Sequence, residues 1–249
     1  APPTDKAYNV NRAFEAGWGG AVWKTLGEDG PPVVNVSSRY GSIDFNGQRM
    51  MGLNNIELIT DRDLYTNLEE IKRVKADYLD RAMIVSLMVP CEEDAWKAIL
   101  PLVEDTGADG IELNFGCPHG MAERGMGSAV GQVPEYIQMV TEWCKKYYSK
   151  PVIVKLTPNI TDVRFPARAA KAGGGDAVKH GDMDSSLTDP PAGRPRLRPT
   201  LTPSGPYAAL IATGQPYSSP KASTWAASVM KVLSPGTPAT PTFSAAWRA

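Results

Sequence analysis

Short apolar runs alternate with helical patterns from residue 4 to about residue 176, and this alternation limits the possible folds more than any other feature. Continuous apolar runs, such as residues 84–89 and 152–154, are typical of parallel strands that are buried on both faces. Strands that alternate with helices indicate βαβ units. The pattern therefore predicts an α/β fold that is built around a parallel sheet.

The predicted elements are spaced as in a barrel. The sequence predicts helices over residues 5–16 (capped by Thr4 or Asp5), 61–78, 92–106, 134–148 and 161–172, strands over 20–25, 82–89, 110–114, 151–156 and 173–178, and an irregular segment over 27–60. Polar residues follow several strands, as active-site residues do at the C-terminal ends of barrel strands. A doubly wound sheet would place its site by a similar rule. Chain length and strand spacing favour a (β/α)8 TIM barrel.

The regular pattern stops near residue 178. Half of the 22 prolines follow Asp189, and no Asp or Glu occurs after that residue. Proline breaks helices and removes a ladder donor from strands, so this segment cannot continue the barrel. We predict a partial barrel over 1–178 and an aberrant Pro-rich segment over 179–249, either a natural disordered tail or the product of a frame slip. The break in mid-strand favours the frame slip, which the coding DNA would settle.

Composition limits the partners and the location. The net charge of −1 gives no reason to expect binding to nucleic acid or to a membrane. Cys91, Cys117 and Cys144 form no CxxC pair, so the sequence predicts no disulfide framework and no metal site. No run approaches the roughly 20 apolar residues that span a bilayer. Residues 1–6 lack the basic and apolar regions of a signal peptide, so none is expected. A cytoplasmic location is expected.

The densest group of reactive side chains lies in the glycine-rich loop over residues 114–127. It contains Cys117, which follows a strand directly and could act as an acid, as well as His119, Glu123 and Arg124. A lone cysteine is more often a small buried hydrophobe, which is the interpretation adopted for the other two cysteines. For Cys117, spacing alone leaves both interpretations open. Glu123 and Arg124 are expected either to pair with each other or to hold the loop closed over a substrate.

The motif Asn-x-x-Cys-Pro-His-Gly-Met-x-Glu-Arg-Gly-Met-Gly over residues 114–127 resembles the active-site loop of dihydropyrimidine dehydrogenases. Blocks at residues 14–19, 23–25, 53–59 and 155–162 resemble the same family, in matching order and spacing over residues 1–178. Within this family, the resemblance points to the bacterial NAD-dependent enzymes, whose flavin-carrying chain is separate. The wider superfamily includes the dihydroorotate dehydrogenases.

This resemblance implies an FMN-binding barrel that reduces uracil and thymine to their 5,6-dihydro forms. Cys117 would be the general acid; Lys24, Thr25 and Lys155 would contact FMN; and Asn55, Asn114, Phe115 and Gly116 would hold the pyrimidine. The resemblance also implies a partner subunit that binds NAD and FAD. No Gly-x-Gly-x-x-Gly follows a strand here, so we predict that this chain does not itself bind NAD.

The sequence departs from the family after residue 178. An Asn-Thr pair that grips the pyrimidine is expected there, but Lys179-His180 follows instead. Nothing after Asp189 supplies the two glycine-rich strand ends that would bind the FMN phosphate. We therefore expect weak FMN binding or none. The alternatives are a dihydroorotate dehydrogenase, whose substrate carboxylate needs a cation, a non-catalytic fragment that associates with a partner, and a flavin-free barrel lyase or isomerase.

Overall fold

The computed structural model describes residues 4–28, 30, 33–38, 40–55, 57–118, 124–180 and 209–212. It describes residues 40, 42–45, 48–55, 180 and 209–212 by their backbone alone. Within these ranges the elements are α1 (Ala7–Glu15), β1 (Gly20–Leu26), β2 (Tyr40–Phe45), β3 (Gln48–Asn55), α2 (Leu64–Asp77), β4 (Ala82–Leu87), α3 (Glu93–Asp105), β5 (Gly110–Asn114), α4 (Ser128–Gly131), α5 (Pro134–Tyr147), β6 (Val152–Leu156), α6 (Arg164–Ala172), β7 (Ala177–His180) and β8 (Ala209–Ala212).

The principal sheet has the order β1-β4-β5-β6-β7-β8. Strands β1, β4, β5, β6 and β7 pair in parallel, and a helix separates each from the next in the chain. This confirms the predicted α/β fold with a parallel sheet. Neighbouring parallel strands bring their C-terminal ends to one edge of the sheet, where the predicted site residues lie.

Side chains of the parallel strands alternate between two apolar clusters, because successive strand residues point to opposite faces. On the outer face Val85, Leu113 and Val154 belong to the main buried cluster, together with helix residues such as Ile71 and Val140. Each fully buried side chain of this size contributes about 1.5–3 kcal/mol relative to exposure.

The inner face has its own apolar layer. Ile84, Ile153 and Ala177 form a separate buried cluster, with Val22 packed against it. Two residues further along the same strands the inward-facing residues become polar. The inner apolar layer therefore forms the floor beneath the polar strand ends.

The predicted helix starts are too early at α1 and α2. At α2 the Asp63 carboxylate accepts a hydrogen bond from the backbone nitrogen of Thr66 at 2.8 Å, so the helix begins after Asp63. At α1 the residue before the first turn is Lys6, whose side chain makes no capping bond, so the predicted capping by Thr4 or Asp5 is wrong. Across the described ranges, no helix combines the length and the apolar character that crossing a bilayer demands.

The prediction of an irregular segment over residues 27–60 is wrong. Strands β2 and β3 form an antiparallel hairpin, and Phe45 pairs with Gln48 around a two-residue turn. Asn46 and Gly47 both have positive φ, at 50° and 72°. Asn-Gly favours this turn type, because both residues tolerate the left-handed conformation.

Only part of the C-terminal third lies within the described residues. Lys179 and His180 belong to β7, and β8 pairs antiparallel with that strand. Residues 181–208 and 213–249 lie outside the described residues. The aberrant segment over residues 179–249 and the frame slip therefore stay predictions. The cytoplasmic location also stays a prediction.

Candidate active site

A buried carboxylate lies among polar strand ends on the inner face of the sheet. Glu112 on β5 has a side chain that is 2% exposed, and Ser86 Oγ on β4 donates a hydrogen bond to its Oε1 at 2.9 Å. The ammonium groups of Lys155 on β6 and Lys179 on β7 reach the same carboxylate, at 2.8 Å from Oε1 and 2.9 Å from Oε2. Four neighbouring strands therefore contribute to one polar cluster.

The cluster contains more positive than negative groups. Burial by itself raises the pKa of Glu112, but Lys155 and Lys179 more than offset this effect and hold the pKa well below its usual range. The carboxylate is therefore ionised, and two cations surround one anion. The lysine side chains keep 26% and 20% exposure, so both are partly accessible to solvent.

A chain of hydrogen bonds joins Glu112 to Asn114. Asn114 Nδ2 donates to Thr25 Oγ1 at 3.0 Å, and Thr25 Oγ1 lies 2.9 Å from Ser86 Oγ. Ser86 in turn donates to Glu112. All four residues are buried. The predicted substrate residue Asn114 and the predicted cofactor residue Thr25 are therefore in direct contact.

The buried Lys24 pairs with another carboxylate, that of Glu57. The β1–β4 register shifts between Trp23 and Leu26, so Lys24 and Thr25 together oppose a single residue of β4. This shift allows two consecutive residues to serve the site. Asn35 holds the segment that directly follows Glu57, since its side chain donates a hydrogen bond to Ile59 O at 2.9 Å and accepts one from Leu58 N at 2.7 Å.

Cys117 lies beyond the end of β5 in an apolar environment. It is partly buried and packs against the cluster of Ile59, Met88 and Met126. Its carbonyl oxygen accepts a hydrogen bond from Ser128 N at 3.0 Å. Both the side chain and the backbone of Cys117 are therefore tied to the protein core.

Gly127 permits this close packing. Its φ is +57°, and a Cβ at this position would lie 2.5 Å from Cys117 O and 2.9 Å from Met88 Sδ. Any larger residue would therefore push the Cys117 backbone away. Gly127 therefore serves a close approach within the protein's own chain.

The other predicted substrate residues differ in what the structure assigns to them. Gly116 N donates to Asn114 Oδ1 at 3.2 Å, so Gly116 helps to orient that amide. Phe115 is 2% exposed and its side chain belongs to the main core, so it offers the inner face only backbone atoms. Asn55 ends β3, and its side chain lies outside the described residues, as do His119 and Glu123 entirely.

Arg124 pairs with Glu28, which follows β1. The ion pair joins two loops that are 96 residues apart in sequence. The reason is topological, because the loops after β1 and β5 emerge at the same edge of the sheet. Glu123 lies outside the described residues, so its expected pairing with Arg124 stays a prediction.

Sequence reasoning missed four residues that the structure adds to the site: Glu57, Ser86, Glu112 and Lys179. A signal for two of them exists, since each is a polar residue flanked by apolar neighbours within a strand: Ser86 lies between Val85 and Leu87, and Glu112 lies between Ile111 and Leu113. A buried polar residue needs a partner. Such residues therefore mark the inward face of a strand.

Parallel strands, intervening helices and a charged inner cluster at the strand ends define a barrel-type enzyme scaffold. The chain belongs to the dihydrouridine synthase family, whose sequence profile, described as "Dihydrouridine synthase (Dus)", matches residues 39–179. A flavin is the cofactor generally used in this family.

Two similar proteins are dihydropyrimidine dehydrogenases. The chloroplastic dihydropyrimidine dehydrogenase (NADP(+)) of Arabidopsis thaliana is 42% identical over 182 residues, which cover 71% of this chain and 43% of the relative. The NAD-dependent dihydropyrimidine dehydrogenase subunit PreA of Escherichia coli K12 is 37% identical over 189 residues, covering 75% of this chain and 45% of the relative. The resemblance predicted from the sequence is confirmed.

A third similar protein is the dihydroorotate dehydrogenase B (NAD(+)) catalytic subunit of Pyrococcus abyssi. It is 34% identical over 177 residues, which cover 68% of this chain and 52% of the relative. The chain therefore spans about half the length, or slightly less, of the curated relatives that it matches. These relatives agree with the superfamily inferred from the sequence motifs.

Proposed function

We infer that this chain carries the pyrimidine-reducing, flavin-binding part of a dihydropyrimidine dehydrogenase. The supporting observation is the group of side chains at the strand ends, where Lys155 pairs with Glu112 and the buried Asn114 donates a hydrogen bond to Thr25. The reaction is the reduction of uracil or thymine to the 5,6-dihydro form. PreA is named as a subunit, which supports a partner that binds NAD for this chain as well.

The residues present fit the isoalloxazine ring of a flavin, and the flavin proposed is FMN. An isoalloxazine ring carries negative charge near N1 and C2=O when reduced, and a cation near that edge stabilises the reduced form. Lys155 has a partly exposed side chain, and the buried Lys24 lies on β1, which β4 and β5 separate from β6. Thr25 supplies a hydroxyl. A bound flavin supplies the hydride for the reduction, and the protein supplies charge and orientation.

Cys117 is proposed as the general acid that gives its Sγ proton to C5 of the pyrimidine. Its position after β5 sets it at the same edge of the sheet as the polar cluster, on a loop held by Ser128 and Gly127. The ring gains a hydride at C6 and a proton at C5, so the product is neutral. Asn55 and Asn114 would bind the ring edge, since an amide offers both a donor and an acceptor, and Gly116 and the Phe115 backbone would line it.

The test uses the purified full chain with excess FMN. The protein-bound flavin is reduced with dithionite without oxygen, uracil or thymine is added, and reoxidation of the flavin and formation of the dihydropyrimidine are followed. Cys117→Ala should slow reoxidation by about 10²–10⁴-fold, the usual contribution of a general acid. Cys91→Ala is the matched control, because Cys91 lies before α3 and should leave the rate unchanged.

The outcomes are distinct. No reoxidation by either pyrimidine would contradict the proposed reaction. Normal reoxidation in Cys117→Ala would contradict the role of this cysteine alone.

One observation favours a second candidate, a dihydroorotate dehydrogenase activity. Lys179 adds a cation to the inner cluster where the dihydropyrimidine dehydrogenase pattern leads us to expect neutral residues. A cation suits the carboxylate of orotate. Faster flavin reduction by dihydroorotate than by dihydrouracil, lost in Lys179→Asn, would favour this candidate, and the reverse preference would exclude it.

A further inference from the structure

The hydrogen bonds between Glu112 and Asn114 have a fixed direction. Ionised Glu112 can only accept, so the single hydroxyl hydrogen of Ser86 points to it. Ser86 Oγ must then accept from Thr25, whose own single hydrogen is used in that bond. Thr25 is left as an acceptor, and Asn114 Nδ2 donates to it at 3.0 Å.

The second end of the Asn114 amide is fixed as well. Gly116 N donates to Asn114 Oδ1 at 3.2 Å, so a rotated amide would set two donors against each other. Nδ2 carries two hydrogens, and the hydrogen bonds among the described residues use one of them. Asn114 is therefore held with a remaining amide hydrogen to offer, and Thr25 with a lone pair.

We propose that Ser86 and Glu112 are positioning residues that fix the polarity of Asn114 and Thr25, and so select a pyrimidine with a carbonyl group, rather than an amino group, facing Asn114. Uracil and thymine belong to this class, whereas cytosine and isocytosine carry an amino group in place of one carbonyl. The inference rests on the proposed function, because it takes Asn114 to contact the ring.

Without the Ser86 hydroxyl, the direction of the hydrogen bonds between Glu112 and Asn114 is no longer fixed. In Ser86→Ala the Thr25 hydrogen has no acceptor at position 86, so the hydroxyl can turn and donate elsewhere. Asn114 then loses a partner that only accepts. We expect the preference for uracil over the amino-substituted ring to fall about tenfold, which corresponds to about 1.4 kcal/mol.

The first experiment needs no ligand. The full chain is labelled with ¹⁵N-asparagine, and the side-chain amide signals of Asn114 are assigned by their loss in Asn114→Asp. These signals should shift in Ser86→Ala and return toward their original positions in Ser86→Thr, which keeps a hydroxyl. Thr141→Val is the matched control: Thr141 is a buried hydroxyl on α5 that bonds Ile137 O at 2.6 Å, and its loss should leave the signals unchanged.

The second experiment measures selection. Uracil, cytosine and isocytosine are titrated calorimetrically into the full chain with excess FMN. The unaltered protein and Thr141→Val should prefer uracil, Ser86→Ala should lose about tenfold of that preference, and Ser86→Thr should restore it. General structural damage would weaken all three ligands alike without changing their ratio.

Two results would overturn the inference: unchanged Asn114 signals in Ser86→Ala, or an unchanged ligand preference in that variant. A protein that reduces uracil yet shows either result refutes this inference alone. A protein that binds and reduces no pyrimidine refutes both the proposed function and the selection of the ring. In that case the Asn114 signals, measured without ligand, still report whether the hydrogen bonds from Asn114 to Glu112 have the proposed direction.

Discussion

Replacing Glu112 by Gln should destabilise the protein strongly. Gln keeps the size of the side chain and an oxygen that can accept from Ser86, but it removes the charge. Lys155 and Lys179 then remain on the inner face without the carboxylate that both contact, at 2.8 and 2.9 Å. The perturbation therefore isolates the electrostatic part of the cluster.

The magnitude follows from burial. Removing one partner of a fully buried ion pair costs about 3–5 kcal/mol. Glu112 is 2% exposed, but the lysines keep 26% and 20% exposure and gain hydration when released. We therefore expect a loss of about 2–4 kcal/mol in the free energy of unfolding, using the same range after a discount for solvent screening. For a chain of this size the melting temperature would fall by about 5–15 °C.

Urea unfolding followed by far-ultraviolet circular dichroism measures this loss. Because the folded-state pKa of Glu112 is lowered, its charge stabilises the protein above the unfolded-state pKa, about 4.3. That stability is lost as pH falls from there through the folded pKa. The difference in the free energy of unfolding between the original protein and Glu112→Gln should thus be constant from pH 7 to pH 5 and become smaller at lower pH.

The control is Asp105→Asn, which breaks the surface ion pair between Asp105 and Lys72. The side chain of Asp105 is 78% exposed and that of Lys72 is 53% exposed. It should produce no measurable change. Equal stability of Glu112→Gln and the original protein, or a difference that does not become smaller below pH 4.3, would refute the reasoning.

Three further predictions concern the cofactor and the acid. The chain should lose FMN on gel filtration, because the sequence after Asp189 predicts no glycine-rich strand end to bind the FMN phosphate; stoichiometric retention in the visible spectrum would refute this. Lys24→Gln should weaken FMN binding about tenfold in a fluorescence titration, whereas Lys146→Gln, at a surface position, should not. Gly127→Ala should slow uracil reduction about 10²-fold, since its Cβ would lie 2.5 Å from Cys117 O, while Gly125→Ala, also at positive φ but with open space, should keep the rate.

The parallel strands could be predicted because burial on both faces makes them continuous apolar runs. The predicted strand over residues 110–114 coincides with β5, and the strand predicted over 82–89 ends two residues later than β4. The hairpin was missed because its strands carry polar residues and glycines, although Asn46-Gly47 is a strong turn signal. Turn chemistry therefore held information that apolar periodicity did not.

Some residues of the candidate site could be predicted from the sequence and others could not. Motifs point to residues on loops and strand ends, such as Cys117 and Lys155, because reactive side chains are conspicuous there. They do not reveal Glu57 or Lys179, whose importance depends on which side chains the fold brings opposite them. Pairing across strands is set by register, and register cannot be derived from one strand alone.

Lys179 connects the departure in the sequence with the chemistry of the site. The pattern of dihydropyrimidine dehydrogenases leads us to expect neutral hydrogen-bonding residues at this end of β7, yet the side chain here extends to Glu112 and shares it with Lys155. A neutral residue would leave Glu112 balanced by Lys155 alone, whereas Lys179 leaves the inner face with a net positive charge. A neutral ring gains little from that charge, but a ring with a carboxylate gains a partner. Among the described residues, the end of β7 is therefore where the two candidate substrates are best distinguished.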